Sequence, residues 1–239
     1  MNIQAKNTYT KRSHVSESRF GVWFLGTSTW ETHVLNVAIQ NLGDLIRNRR
    51  AGYPTIIDIG CGWGRSFKFL KSHFAPQRLI GADIDPAMLE LTATEAAEHG
   101  LNVDLLCISC SDIAMPDASV DMVFCHQTFH HLVDQENALR EFHRILKPDG
   151  VLLFAESTRP FIHSWIIRLL FRHPMDMQKS ADEYIEMIKN AGFQVSPDSI
   201  SYPYLWWSRK DLGVWERWFN RTPPQNREET LVNLVAVRC

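Results

Sequence analysis

Three glycines on alternate positions, placed directly after a short apolar run that carries an acid, constrain this chain more than any other feature. The stretch is Ile56-Ile57-Asp58-Ile59-Gly60-Cys61-Gly62-Trp63-Gly64-Arg65. Thr55–Ile59 has the length and apolar character of a buried strand. The glycines predict a tight turn into a helix near Arg65. Lacking a Cβ, a glycine takes positive φ at little cost and lets the backbone pass close to a ligand. At the carboxyl end of a parallel strand, such a turn is where a nucleotide-type cofactor binds. The spacing is not the dinucleotide fingerprint, because Arg65 stands where a third glycine is needed. It is not a P-loop either, since no Gly-Lys-Ser/Thr follows.

The next acids sharpen this. A second apolar run, Arg78–Ala82, ends in Asp83 and Asp85, and Asp83 falls 19 residues after Gly64. That is where the second strand of a β-α-β unit ends, and a carboxylate there accepts the hydroxyls of a ribose. Pro86 suits the first turn of a new helix, with Asp85 as its cap. A third apolar run, Val103–Ile108, leads to Ser109-Cys110-Ser111-Asp112. Acids at three successive strand ends, with no phosphate-binding lysine, suit a cofactor that carries a cation. S-adenosylmethionine fits better than NAD or ATP.

With those motifs in place, the chain resembles the class I S-adenosylmethionine-dependent methyltransferases, in the broad group of ubiquinone/menaquinone-biosynthesis and small-molecule enzymes. The matching segments are Ile56–Arg65, Leu79–Leu89, Ser111–His131 and Leu139–Glu156, with a weaker match over Tyr184–Val195. Pro148-Asp149-Gly150 replaces the usual Pro-Gly-Gly, and Asp serves in a turn as well. The resemblance implies a doubly wound α/β fold: a mostly parallel seven-stranded sheet, helices on both faces and a C-terminal antiparallel hairpin. It also implies that the turn Gly60, Cys61, Gly62 and Gly64 cradles the amino-acid and ribose portion. Asp83 would bind the ribose, and Ile84 or Met88 would pack on the adenine. Asp112 would accept from the adenine amino group beside the Ile113 backbone, with Asp104 or Ser111 in its place if the strand ends elsewhere. Asp58 would orient the turn or the cofactor ammonium.

Strands are expected near 54–59, 78–83, 103–108, 120–125, 150–156, 193–204 and 230–238. Helices are expected near 64–73, 86–99, 134–146 and 180–191. Ser28-Thr29-Trp30-Glu31 has the form of a capping box and predicts a helix to about Arg47. At 239 residues the chain makes one domain. Its parts are N-terminal cap helices (1–50), a cofactor core (51–157), a lid-like insertion (158–180), and a C-terminal helix with the hairpin (181–239).

A net charge of −2 supplies no field that would draw nucleic acid. The first 30 residues lack a signal-peptide core, and no apolar run reaches a membrane span, so the expected location is cytoplasmic. Cys107 and Cys110 make a C-x-x-C spacing, but residues three apart on a strand face opposite ways and no second pair completes a zinc site. No metal site is expected.

The acceptor side is less defined. The loop His126-Gln127-Thr128-Phe129-His130-His131 follows the fourth strand of the core, where imidazole is the obvious base. His130 and His126 are the catalytic candidates, His130 as the base and His126 beside the methionine moiety, with His131 expected in packing. The carboxylates of metal-dependent catechol enzymes and the Asn-Pro-Pro-Tyr motif are both missing, which argues against catalytic Mg²⁺ and nucleobase substrates. Tryptophans cluster before and after the core: Trp23, Trp30, then Trp165, Trp206, Trp207, Trp215 and Trp218. Residues 159–175 form a broad apolar surface if helical, with Ser164, Arg168 and Arg172 as one polar stripe. This segment is expected to cap a small apolar or aromatic acceptor; packing on a second subunit or weak contact with a membrane surface are the alternatives. A protein, RNA or lipid acceptor, or cofactor binding without catalysis, also stay open.

Overall fold

The computed structural model describes residues 3–5, 17–209, 214, 218 and 227–239. Strands β2 (Thr55–Ile59), β3 (Arg78–Asp83), β4 (Val103–Cys107), β5 (Val120–His126) and β6 (Leu146–Ser157) are parallel. Helices α4 (Phe67–Phe74), α5 (Pro86–Glu98) and α6 (Gln135–Ile145) alternate with them. With β7 (Phe193–Gln194) and β9 (Leu231–Arg238), the spatial order is β1-β4-β3-β2-β5-β6-β9-β7, and β1 (Ile3–Ala5) is a parallel edge strand outside the expected set. β9 (Leu231–Arg238) runs antiparallel to β6. The strand order therefore reverses between β2 and β5, and the carboxyl ends of those two strands flank the crevice where α/β folds bind ligands.

Both faces of the sheet are covered, so β2 and β5 are apolar almost without alternation. Ile57 and Ile59 pack with Phe129, Phe142 and Tyr184 on one face. Ile56 packs with Phe67, Leu70 and Phe74 on the other. Consecutive strand residues thus feed two separate cores, as a period of two requires.

Three local expectations need correction. The long hairpin partner near 193–204 is broken into β7 (Phe193–Gln194) and β8 (Ile200–Ser201), each antiparallel to β9. Pro197 lacks the N–H a strand would donate, and Ser196 and Ser199 cap each other across a 3₁₀ turn there. The N-terminal helix is capped by Thr27, not Ser28: the Thr27 hydroxyl accepts from the Trp30 N–H at 3.2 Å. Glu31 is not available for a capping box because Arg65 (2.7 Å) and Lys68 pair with its carboxylate. After α1 (Arg19–Leu25), this helix comprises α2 (Ser28–Trp30), a π-helical turn (Glu31–Leu35) and α3 (Asn36–Leu45). Finally, residues 159–175 are not one helix. α7 (Arg159–Ile162) and α8 (Trp165–Leu170) are separated by Ser164, whose backbone is extended. The hairpin and helix at the C-terminal end are completed by α9 (Ala181–Asn190), which opens with a Ser180/Glu183 capping box.

Candidate functional site

The glycine turn at the end of β2 takes the shape its spacing predicts. Gly60, Gly62 and Gly64 have φ of 69°, 53° and 72°. Gly60 is needed for close approach as well, since a Cβ there would lie 2.2 Å from Thr128 Cγ2 in the loop after β5. At Gly62 a Cβ would meet nothing within 4 Å, so the constraint is the positive φ alone and the space in front of it is open.

Asp83 ties this turn to the end of β3. Its Oδ2 accepts the Gly62 N–H at 3.0 Å and its Oδ1 accepts the Asp85 N–H at 3.0 Å. Burial raises its carboxyl above the ordinary range, against the lowering by those N–H groups. Asp58 lies deeper, 3% exposed, and accepts from the Ser66 hydroxyl. Burial, with the nearby Asp83 charge adding to it, pushes Asp58 up to about 7. Among the described residues, neither acid forms an ion pair with a cationic side chain.

One cavity of about 420 Å³ is lined by these residues and by much of the acceptor side, within the range of about 300–1,000 Å³ usual for small ligands. Of the residues expected to hold the cofactor, Asp58, Gly60, Cys61, Gly62, Asp83, Ile84, Met88 and His126 line it, as does His130. Gly64 shapes the turn without reaching the wall. Asp112 and Ile113 do not line the cavity either. The chain folds back through a Ser109–Asp112 bridge, so Ser109 and Cys110 form that wall and Asp112 is exposed. The Ile113 side chain is buried, and its N–H donates to Glu141 Oε2 at 2.8 Å.

The other half of the cavity is apolar. Phe20, Phe24 and Trp30 come from the N-terminal helices, Ile162, Ile166, Ile167 and Leu170 from α7 and α8, and Trp207 from beyond β8. Trp63 ties the two halves together, donating its indole N–H to the Val22 carbonyl at 3.1 Å. The insertion shows both faces of its apolar character. Ile167 is 9% exposed, whereas Trp165 and Leu169 are 74% and 73% exposed on the outside. Of the other tryptophans singled out, Trp23 and Trp206 are exposed, and Trp215 lies outside the described residues.

Between the halves sits a buried polar group that the sequence reading missed. Glu156, fully buried at the end of β6, accepts from the N–H groups of Thr128 (2.8 Å) and Phe129 (2.6 Å) through Oε1. Its Oε2 lies 2.5 Å from His130 Nδ1. Burial raises Glu156 to about 8 and lowers His130 to about 3, so the pair is electrically neutral near neutral pH. His126 is also held neutral by burial and stacks on Phe124 with ring centroids 5.9 Å apart. The signal for Glu156 was present: like Asp83, it is an acid that ends an apolar strand. For His173, which packs on His130 and His131 from a loop after α8, no sequence signal existed.

Residues 57–154 match the sequence model of the methyltransferase-domain family. An uncharacterized methyltransferase-like protein of Schizosaccharomyces pombe is 32% identical over 143 residues, 58% of this chain and 53% of that protein. A ubiquinone/menaquinone biosynthesis C-methyltransferase of Hahella chejuensis is 29% identical over 160 residues, 65% of this chain and 59% of that protein. The matches thus span little more than half of these curated relatives. In structure, the chain is similar to a Haloferax volcanii methyltransferase solved with the Trm112 activator, with a TM-score of 0.65 at 22% identity over 92% of this chain and 95% of that one. That likeness speaks for the fold alone.

Proposed function

We propose that the chain, whose residues 57–154 match the methyltransferase-domain family and which is similar to quinone-biosynthesis C-methyltransferases, methylates a small apolar or aromatic acceptor held under its N-terminal helices and the α7–α8 lid. One observation carries this reading: a single cavity joins the acid-and-glycine cradle to an apolar chamber.

The cradle fits the cofactor on its own chemistry. Two neighbouring buried carboxylates without a cation between them favour a ligand with a positive charge. The open space at Gly62 admits backbone contact with it. Asp58 would face the ammonium, Asp83 would accept the ribose hydroxyls with its remaining lone pairs, and Ile84 and Met88 would flank the adenine. Bound there, S-adenosylmethionine supplies a methyl group already activated by the sulfonium. The protein's remaining task is alignment and the removal of any proton that must leave. Phe24, Trp30, Ile166 and Ile167 exclude water from the acceptor and orient its flat or apolar body. His130, fixed at Nδ1 by Glu156, presents the proton-handling edge of this chamber, with neutral His126 beside it.

The relatives named for quinone biosynthesis support trying phenols and quinols first. The test is release of S-adenosylhomocysteine by the full chain with a panel of such acceptors. Saturable turnover that is reduced by filling the chamber with Ile167→Trp supports the reading. Methyl transfer confined to RNA or protein, or unaffected by Ile167→Trp, would sink it.

A further inference from the structure

His130 and His131 are consecutive on the 3₁₀ turn Phe129–His131, and His173 reaches them from the irregular segment after α8. Their ring centroids are 4.4 Å (His130–His131), 5.0 Å (His130–His173) and 4.8 Å (His131–His173) apart. One ring nitrogen from each lies within 4.8 Å of the other two. All three side chains line the cavity.

Three imidazoles in mutual contact, without an aromatic or aliphatic partner separating them, are the donor set of a nitrogen-ligated metal site. Carboxylates stand behind two of them. Glu156 Oε2 is 2.5 Å from His130 Nδ1, which leaves Nε2 as the His130 donor, and Glu17 Oε2 is 3.7 Å from His131 Nε2. Such carboxylate partners fix the ring orientation of metal-bound histidines. A cation bound at about 2.0–2.1 Å places tetrahedral ligands roughly 3.4 Å apart. The cluster needs to close by roughly 1.4 Å at most to reach that geometry, and His173, on a segment without helix or strand, is free of the regular hydrogen bonding that would resist it.

We propose that His130, His131 and His173 bind one borderline divalent cation of the Zn²⁺ type, with the remaining coordination position opening into the acceptor chamber. Imidazole nitrogen selects such ions over Mg²⁺ or Ca²⁺, which prefer oxygen. The expectation that no catalytic Mg²⁺ is used is therefore untouched, while the expectation of no metal site at all is replaced. The consequence for substrate rests on the methyl-transfer reading; cation binding itself does not. A cation here favours a phenol or enol, whose hydroxyl loses its proton to water on ligation and then offers its oxygen, or a conjugated carbon, as the nucleophile.

The full chain is stripped with a chelator and titrated with Co²⁺ and then Zn²⁺. One Co²⁺ per chain should bind with visible absorption of tetrahedral strength, and Zn²⁺ should displace it. His173→Ala should abolish the tetrahedral spectrum, and Glu156→Gln should weaken binding by about 10–100-fold. Imidazole NMR of the unaltered chain with Zn²⁺ gives a readout that needs no variant: shifts should be confined to His130, His131 and His173. Absence of stoichiometric binding, a spectrum that survives in folded His173→Ala, or shifts centred on other histidines overturns the site. Failure of the methyl-transfer reading shows separately, as absence of S-adenosylhomocysteine binding to the metal-free chain.

Discussion

The two halves of the cavity are built by different means. The half proposed for the cofactor comes from strand ends and one turn within residues 55–110, where backbone geometry dictates the residue types. Positive φ asks for glycine at 60, 62 and 64, and the close approach of Thr128 forbids a Cβ at 60. The acceptor half is assembled from side chains of segments distant in the chain: 17–35, 161–173 and Trp207. No single turn or strand end requires these residues, so many apolar sets serve equally well. Residue choice in the first half is therefore set by backbone geometry, and in the second by packing between distant segments.

That contrast can be broken at several points. The largest effect is expected at the border. His130→Asn retains a partner for Glu156 but offers neither base nor metal donor, so turnover should fall roughly 10²–10⁴-fold with S-adenosylhomocysteine affinity preserved. Affinity that falls in parallel would place His130 in the cofactor half.

Glu156→Ala leaves the Thr128 and Phe129 N–H groups and His130 Nδ1 buried without their partner. Stability should drop by about 3–5 kcal/mol, read from denaturant unfolding. An unchanged midpoint would mean that water replaces the carboxylate.

Asp83→Ala should weaken S-adenosylhomocysteine binding by about 1.5–3 kcal/mol. The fold will feel it too, by about 1–3 kcal/mol, since the Gly62 and Asp85 N–H groups lose their acceptor.

Asp58 sets a pH dependence. Its folded pKa of about 7 lies above the ordinary carboxylate value, so the ligand-free fold binds a proton more tightly than the unfolded chain. Stability contributed by this group falls as pH rises from about 4 to about 7 and is level above that. A cationic ligand prefers the ionised form, so affinity should rise by at most about tenfold per pH unit up to 7 and then flatten, with uptake of ligand releasing protons. Calorimetry in buffers of different ionisation enthalpy measures that release.

The smallest effect belongs to the outer face of the lid. Trp165→Ala and Leu169→Ala should each change stability by less than about 0.5 kcal/mol, whereas Ile167→Ala, on the cavity side, should cost about 2 kcal/mol or more. A large loss from Trp165→Ala would reveal a partner surface there.

The same contrast explains what was legible in the sequence. Strand ends and the turn were readable because burial on both faces and positive φ leave few residue choices. Asp85 as a helix cap, with its carboxylate accepting the Ala87 N–H at 2.9 Å, follows from local rules alone. Asp112 lies off the cavity wall because the chain folds back at the Ser109–Asp112 bridge, a turn that strand length alone does not reveal. The 159–175 segment kept its apolar pattern but not its continuity, since a break at Ser164 turns Trp165 and Leu169 outward. The meeting of His173 with His130 is a product of packing between segments more than 40 residues apart, and no local pattern encodes it.

The central claim is that the acids and glycines at the ends of β2 and β3 bind the cofactor. Titrating S-adenosylhomocysteine into the full chain by calorimetry tests it most directly. One site per chain, strengthening from pH 6 to pH 7 and weakened at least tenfold in folded Asp83→Ala, is the predicted result. No binding at any pH, or the parent affinity in folded Asp83→Ala, would contradict it.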